Sequence, residues 1–370
     1  MAIFTDDSPV GAPRQRRSAW VGWILLVGAL VGSFGFAMVP APYVIEQPGP
    51  VFNTLGTVTF DHKQVPLIEI PGQKTYPTSG ALDMLTVNVV GDREQSPSWF
   101  EVAQAWLDGS KAVLPIDSIY PAGTTVKQSN EQAAVDMQNS QKDAIAAALT
   151  RLGYTLPSTL SVAGFSPDSP SKGILENGDT ILGVNGETTD SVRGLRAIIA
   201  KSGAGVPVTI AIERAGEKKT VEVTPQLSTD AKAVPIIGIF PAVSYAYPFD
   251  VKIQLQDVGG PSAGQMFALG IIDKLTPGSI TGGAKIAGTG TIDADGNVGA
   301  IGGIRQKLYG AKNAGATWFL APYSNCDEVT GHVPSGLRVL AVKTLGDSLA
   351  ALKAVSTGAS TSSLLRCPAR

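Results

Sequence analysis

The sequence has few of the residues on which metal sites and histidine-based catalysis depend. Its 370 residues include only two cysteines and two histidines, which are scattered along the chain: His62, Cys326, His332 and Cys367. A structural zinc site needs about four such ligands, so we expect no metal site. Two histidines also leave little room for a Ser-His-Asp triad.

The sequence also lacks the usual features of nucleic-acid and nucleotide binding. Its formal net charge is −2, so there is no basic field to hold a nucleic-acid backbone. It contains no Gly-x-x-x-x-Gly-Lys-Ser/Thr loop, and the glycine-rich stretch 288–303 does not form Gly-x-Gly-x-x-Gly. We therefore expect no nucleic-acid partner, no ATP and no cofactor.

Apolar residues, in contrast, are plentiful, and one run near the N-terminus is long. Of all residues, 44% are hydrophobic and 16% are charged, and a chain of this length is enough for two or three domains. No charged residue occurs from Ser18 to Ile45, and a bilayer crossing needs about 20 apolar residues. The run directly follows three arginines, Arg14, Arg16 and Arg17.

This pattern predicts a membrane anchor, because positive charges before an apolar run remain on the cytoplasmic side. We predict a cytoplasmic N-terminus over residues 1–17 and a transmembrane helix over residues 18–41. The protein is then a single-pass protein of the cell membrane, with bilayer lipid as a partner and all later residues outside the cytoplasm. The alternative is a signal peptide cleaved after Ala37 or Ala41.

The rest of the chain combines helical and strand patterns. An Ala-, Gln- and Leu-rich segment that ends at Gly153 predicts a long helix, with Ser129 and Gln132 as its capping box. Apolar strands and helices alternate through residues 229–355, and a Ser/Thr/Gly-rich tail, expected to be flexible, covers residues 356–370. The alternation predicts an α/β (α+β) fold.

Residues 154–228 form a separate unit that is rich in strand patterns. It contains Gly178-Asp179, an apolar strand, Asn185-Gly186, a periodic helix over Val192–Ala200 and two further alternating strands. The whole run resembles a PDZ domain of the bacterial protease-associated type. The resemblance implies a groove between a helix and a strand, where a protein or peptide substrate adds as an extra strand.

Two glycine-rich motifs in the last region carry the chemistry. The first is the run 259–264 (Gly-Gly-Pro-Ser-Ala-Gly) at the start of a predicted helix, where free backbone N–H groups can stabilise an oxyanion. The second is Thr289-Gly290 followed by the run 299–307 (Gly-Ala-Ile-Gly-Gly-Ile-Arg-Gln-Lys). Together they resemble the Lon-type peptidases, whose nucleophile lies in Gly-Pro-Ser-Ala-Gly and whose lysine follows a Gly-Gly motif about forty residues later.

The Lon resemblance implies that Ser262 is the nucleophile, Lys307 the general base and Thr289 a hydrogen-bond partner of the pair. A lysine can act as a base if burial among apolar groups lowers its pKa from about 10.4 toward neutrality. The matching motif residues around the pair are expected to support it: Gly260, Pro261, Ala263, Gly302 and Gly303. The sequence departs from many Lon sequences in having Gly259 in place of Asp and Thr291 in place of Glu.

Segments on both sides of the PDZ-like unit resemble one Lon-type proteolytic domain, so we predict that the PDZ-like unit is inserted into it. With the anchor, this combination resembles the YlbL family of bacterial membrane proteins. The predicted organisation is a cytoplasmic N-terminus (1–17), a transmembrane helix (18–41), a linker with the first part of the Lon-type domain (42–153), a PDZ domain (154–228), the main Lon-type part with the Ser-Lys dyad (229–355) and a flexible tail (356–370).

The predicted function is an ATP-independent, extracytoplasmic serine endopeptidase whose PDZ domain recruits protein substrates. The alternative is a catalytically silent, membrane-tethered PDZ scaffold. Because Lon-type domains commonly form rings, we also consider a homo-oligomeric ring as the assembly. We also predict a disulfide between Cys326 and Cys367, because the compartment outside the membrane is oxidising; the alternative is two free thiols.

Overall fold

A computed structural model describes residues 16–37, 39–120, 125–166, 168–228, 233–256 and 258–368. The helices are α1 (Arg16–Ala37), α2 (Trp99–Leu107), α3 (Ile116–Ile119), α4 (Val126–Arg151), α5 (Val192–Ser202), α6 (Gly264–Leu275), α7 (Ile304–Asn313), α8 (Cys326–Val329) and α9 (Leu345–Thr357). The strands are β1 (Tyr43–Asn53), β2 (Thr57–Phe60), β3 (Lys63–Pro66), β4 (Ile68–Glu69), β5 (Ala81–Val90), β6 (Ala112–Pro115), β7 (Ser158–Phe165), β8 (Thr180–Val184), β9 (Glu187–Thr188), β10 (Val208–Arg214), β11 (Glu217–Val223), β12 (Gln226–Leu227), β13 (Pro235–Ile236), β14 (Ile239–Tyr245), β15 (Lys252–Ile253), β16 (Lys285–Gly288), β17 (Thr291–Ile292), β18 (Val298–Gly299), β19 (Trp318–Pro322) and β20 (Arg338–Val342).

Helix α1 covers most of the predicted membrane segment but ends at Ala37 rather than at residue 41. Among the described residues, no helix combines the length and the apolar character that a membrane crossing requires. The structure therefore does not support the predicted transmembrane helix over residues 18–41. Residues 1–15, which make up most of the predicted cytoplasmic N-terminus, lie outside the described residues.

The first sheet is built from segments on both sides of the PDZ-like unit. Its strand order is β20-β19-β16-β5-β1-β6, so strands from before residue 116 and from after residue 284 share one sheet. β16 pairs in parallel with both β5 and β19, while β1 pairs antiparallel with β5 and β6. The chain leaves this sheet, forms the second unit and returns to the same sheet.

Helices cover both faces of the first sheet. Successive residues of a strand point to opposite faces: on β5, Leu82 and Met84 are buried with α4, α6 and α9, whereas Leu85 is buried with α7. The two helices that follow the glycine-rich motifs, α6 and α7, therefore pack on opposite faces of the same strands.

Helix α4 begins one turn earlier than the sequence predicts. Its capping box is Thr125 and Gln128, in which the Thr125 hydroxyl accepts the Gln128 backbone N–H at 3.1 Å and the Gln128 side-chain oxygen Oε1 accepts the Thr125 backbone N–H at 3.0 Å. The predicted pair Ser129–Gln132 has the same spacing but lies inside the helix. Residues 126–129 are also compatible with a helix, so α4 starts at the earlier capping box, after Thr125.

The second sheet extends beyond the predicted PDZ range of residues 154–228. Its main strand order is β11-β10-β8-β7-β14, and β14 pairs antiparallel with β7 from Ile239 opposite Phe165 to Tyr245 opposite Ser158. Helix α5 packs on this sheet through Leu195, Ile198 and Ile199. The difference arises because β14 pairs with a strand about 80 residues earlier in the chain, and local sequence patterns do not reveal such pairing.

The C-terminal tail is attached to the domain rather than flexible as predicted. Ala341 N–H on β20 donates to the Leu365 carbonyl at 3.0 Å, and the Thr330 hydroxyl donates to the Pro368 carbonyl at 3.0 Å. Cys326 and Cys367 form a disulfide, with an S–S distance of 2.09 Å. The tail is therefore held at several points between residues 364 and 368.

Candidate active site

The structure brings together three side chains that the sequence places in separate motifs. Lys307 Nζ donates hydrogen bonds to Ser262 Oγ at 2.7 Å and to Thr289 Oγ1 at 3.1 Å. Thr289 Oγ1 in turn donates to the Ser262 backbone carbonyl at 2.9 Å. A hydroxyl and an amine at this distance are close enough for direct proton transfer.

Helix α4 holds the loop that carries Ser262. The Gly260 N–H donates to the Ala133 carbonyl at 2.8 Å, and the Ser140 hydroxyl donates to the Pro261 carbonyl at 2.9 Å. Gly260 has a φ of +83°, a conformation that side chains rarely tolerate. The loop is thus fixed from both sides at the point where it presents the serine.

Lys307 is positioned by the start of α7. Gly303 caps this helix in the left-handed conformation with φ +65°, and a Cβ atom there would lie 2.6 Å from Val87 Cγ2. Just before it, the Asn325 side chain accepts the Ile301 N–H at 2.9 Å and donates to the Ile301 carbonyl at 2.8 Å. Gly302 lies between these two fixed points and lines the cavity in front of Ser262.

The surroundings of Lys307 are apolar, as its proposed role requires. The residue is 3% exposed, and the neighbouring side chains on and before α7 are buried: Ile301, Ile304, Leu308 and Ala311. Burial lowers the pKa of Lys307 to about 7, while the Glu46 carboxylate acts against this and raises it. A lysine with this pKa is substantially neutral at pH 7 and above, which is the form that accepts a proton.

The dyad lies at a cavity of about 520 Å³ that also contains the predicted supporting residues Gly260, Pro261 and Ala263. Within the described part of the chain, the backbone N–H groups of Ser262 and Ala263 have no hydrogen-bond acceptor. They precede the first turn of α6, where the helix dipole adds positive character. Such N–H groups can stabilise negative charge that develops on a substrate carbonyl oxygen.

Two parts of the chain match protein-family models. Residues 256–354 match the Lon protease (S16) C-terminal proteolytic domain, and residues 124–213 match the PDZ domain. The chain combines a Lon-type proteolytic domain with a PDZ domain. This confirms the pair of domains in the predicted resemblance, whereas the membrane anchor is not shown.

The chain is similar over part of its length to individual Lon proteases and to a solved PDZ domain. The chain is 36% identical over 93 residues to a Lon protease of Lachnoclostridium phytofermentans, which covers 24% of this chain and 11% of that protein. It is 39% identical over 79 residues to a Lon protease of Clostridioides difficile, covering 21% and 10%. The PDZ domain of an SdrC-like protein from Listeria innocua is 25% identical, covers 22% of this chain and 92% of that one, and has a TM-score of 0.21. The chain thus spans about a tenth of the length of these Lon proteases.

The PDZ part has an apolar groove, and some of the residues that line it lie beyond residue 228, the predicted end of the PDZ domain. A cavity of about 200 Å³ lies between α5, which contributes Val192, Leu195 and Ile199, and the chain from Pro235 to Pro241 at the start of β14. β14 is the edge strand of its sheet, pairing with β7. A strand edge beside an apolar helix face is the arrangement to which an extended peptide can add as a further strand.

Three residues of the Lon-type site were not singled out from the sequence. Glu46 lines the catalytic cavity, Ser140 holds the nucleophile loop, and Asn325 holds the loop before α7. Each lies outside the glycine-rich motifs, and no local pattern marks it. Within the described residues, no group of three or more His, Cys, Asp or Glu side chains could hold a metal ion.

Proposed function

We propose that this protein is an ATP-independent serine endopeptidase that uses Ser262 and Lys307 as its catalytic dyad. The observation that carries the proposal is the 2.7 Å contact between Lys307 Nζ and Ser262 Oγ, at a lysine whose pKa burial lowers to about 7. The similarity to Lon proteolytic domains over residues 256–354 supports the same reaction class.

In the proposed reaction, Ser262 Oγ attacks the carbonyl carbon of a peptide bond while its proton passes to neutral Lys307 Nζ. The carbonyl electron pair moves onto oxygen, where the N–H groups of Ser262 and Ala263 stabilise it. When the tetrahedral intermediate collapses, the C–N bond breaks and the lysine ammonium gives its proton to the leaving amine. Water then hydrolyses the acyl-serine by the same proton path, which regenerates the free hydroxyl.

A fluorophosphonate probe and a fluorogenic peptide test this function on the full-length chain. Wild-type protein should react with the probe and cleave the peptide, whereas Ser262→Ala and Lys307→Met should do neither. Lys274→Met is the control, because Lys274 is half-buried and, like Lys307, has a lowered pKa, but lies at the end of α6. If the wild-type protein neither reacts nor cleaves, the protein is instead a catalytically silent PDZ scaffold.

We propose that the groove between α5 and β14 recruits substrates by binding an extended apolar peptide. Ile239→Arg places a charge at the start of the β14 edge and should weaken binding of apolar peptides more than tenfold. Val206→Arg is the control, because Val206 is 53% exposed and lies outside the groove. Fluorescence anisotropy with labelled peptides measures both. Equal affinities for the two variants would contradict this assignment of the groove.

We also propose that α1 anchors the chain in a cell membrane with the two domains outside the cytoplasm. The uncharged sequence from Ser18 to Ile45 and the arginines before it support this. Within α1, Trp23 and Leu25 are 67% and 68% exposed, although apolar side chains all round a helix require an apolar environment. Carbonate extraction and protease protection of intact cells test it. Release by carbonate, or protection of the PDZ part from external protease, would contradict it.

Assembly into a homo-oligomeric ring is a further part of the proposal, supported by the Lon resemblance. Mass measurement of the detergent-solubilised chain should give a multiple of 38.3 kDa. A fully active chain that stays monomeric at all concentrations would contradict it.

A further inference from the structure

Glu46 is an acidic side chain that lines the catalytic cavity. Of the described residues around this cavity, Glu46 and Lys307 alone carry ionisable side chains. Glu46 lies on β1, far from both glycine-rich motifs in sequence and half-buried in the structure. The desolvation of its carboxylate raises its pKa, and Lys307 acts in the opposite direction. A carboxylate is costly to bury unless it has a partner, so the position of Glu46 needs an explanation.

The carboxylate sits beside the first turn of α7. A Cβ atom built on Gly303 would lie 3.5 Å from Glu46 Oε2, and the Gly303 carbonyl accepts the Lys307 N–H at 3.1 Å. The amine at the end of the Lys307 side chain already hydrogen-bonds to Ser262 and Thr289. Glu46 therefore acts on the lysine through its charge, from the same end of the same helix.

The proposed reaction creates a positive charge at this position. Lys307 begins neutral and becomes an ammonium when it takes the Ser262 proton, in a place where burial disfavours the charged form. An opposite charge that is already fixed in the cavity lowers the energy of that state without any rearrangement. We propose that Glu46 is the counter-charge that stabilises the Lys307 ammonium during catalysis, which makes it a positioning residue that acts through the base.

The other charged groups near Glu46 and Lys307 are not placed to serve as the counter-charge of Lys307. Glu328 on α8 acts on Glu46 itself and disfavours its ionised form. Asp83, on the neighbouring strand β5, interacts with Lys285. Asp327 on α8, and Arg305 and Lys312 on α7, lie outside the cavity lining. This inference rests on the proposed dyad, because it assigns Glu46 a role only if Lys307 is the base.

The test is the pH dependence of peptide cleavage by Glu46→Gln, Glu46→Asp and a control, Glu69→Gln, whose exposed carboxylate lies on β4 outside the cavity. Loss of the negative charge lowers the Lys307 pKa, so the acidic limb of kcat for Glu46→Gln should move to lower pH by about 0.5 to 1 unit. The plateau rate should fall about three- to tenfold, since one pKa unit corresponds to a factor of ten. The pH profiles of kcat for the wild type and Glu46→Gln should approach each other at acidic pH, because Glu46 of the wild type is then protonated and uncharged.

Glu46→Asp keeps the charge and should retain the wild-type limb position, as should Glu69→Gln. An unchanged limb in Glu46→Gln would overturn the inference, provided that circular dichroism shows a folded chain. So would a loss confined to KM for peptides with lysine or arginine, because Glu46 would then be a substrate contact. If Ser262→Ala still cleaves the peptide, the proposed function itself is wrong. If Ser262→Ala is inactive and only the limb of Glu46→Gln is unchanged, the role of Glu46 alone fails.

Discussion

The hydroxyl of Thr289 connects the two members of the dyad, so its removal gives a sharp test of how the site is held. It is 1% exposed, accepts from Lys307 Nζ at 3.1 Å and donates to the Ser262 carbonyl at 2.9 Å. Thr289→Val keeps the shape but loses both hydrogen bonds. At about 1 kcal/mol for each bond, the free energy of unfolding should fall by about 2 kcal/mol. The Ser262 carbonyl keeps its bond from the Gly290 N–H at 2.9 Å, so the fold should survive.

The larger effect of Thr289→Val should be on kcat. A misplacement of about 1 Å in a catalytic group can cost about a hundredfold in rate, and Nζ loses one of its two anchors. We expect kcat for a peptide substrate to fall about 10- to 100-fold with little change in KM. Thr289→Ser retains the hydroxyl and should stay within about threefold of wild type. A folded Thr289→Val protein with wild-type kcat, or equal losses in both variants, would refute the reasoning.

Three further predictions concern stability. Replacing Cys326 and Cys367 by serine opens a loop with a sequence separation of 41 residues, which should lower the free energy of urea unfolding by about 4 kcal/mol; a loss below 1 kcal/mol would contradict this. Burial raises the pKa of Asp143 to about 6, so the folded state resists ionisation and is penalised above that pH. Asp143→Asn should therefore be more stable than wild type by about 1–3 kcal/mol at pH 8, with no difference below pH 4; an equal gain at both pH values would argue against it. In Gly303→Ala the new alanine would have to adopt a left-handed φ, and its methyl group would clash with Val87. The free energy of unfolding should fall by about 1–3 kcal/mol and most of the activity should be lost. If adding Val87→Ala restores wild-type stability fully, the clash with Val87 is the whole cause and the left-handed φ contributes nothing.

The members of the candidate site could be named in advance because they lie in short, continuous motifs that resemble those of Lon-type peptidases. The helix that carries Lys307 begins at Ile304, directly after the Gly-Gly pair, and Ser262 lies two residues before the first residue of α6. Glycines at 260 and 303 indicate backbone conformations that other residues rarely adopt, and both have positive φ in the structure. Chain geometry of this kind is encoded within a few residues, so the sequence reveals it.

Several details that depend on pairing across long separations were not predicted. Strand β14 borders the apolar groove beside α5, yet it lies outside residues 154–228, because its partner β7 is distant in sequence. Glu46 lines the same cavity as the dyad because α7 packs on β1 of the first sheet. The C-terminal tail has a composition typical of flexible segments, but its contacts with β20 and α8 are tertiary.

The central claim is that Lys307 acts as a neutral base toward Ser262. The most direct measurement is the rate of fluorophosphonate labelling of Ser262 as a function of pH, in the wild type and in Lys307→Arg. Because burial lowers the pKa of Lys307 to about 7, wild-type labelling should rise with one ionisation near pH 7 and then level off. Lys307→Arg keeps the charge but cannot release a proton, so it should not label at any pH up to 9. A rise that begins only near pH 10, or labelling of Lys307→Arg at the wild-type rate, would contradict the account.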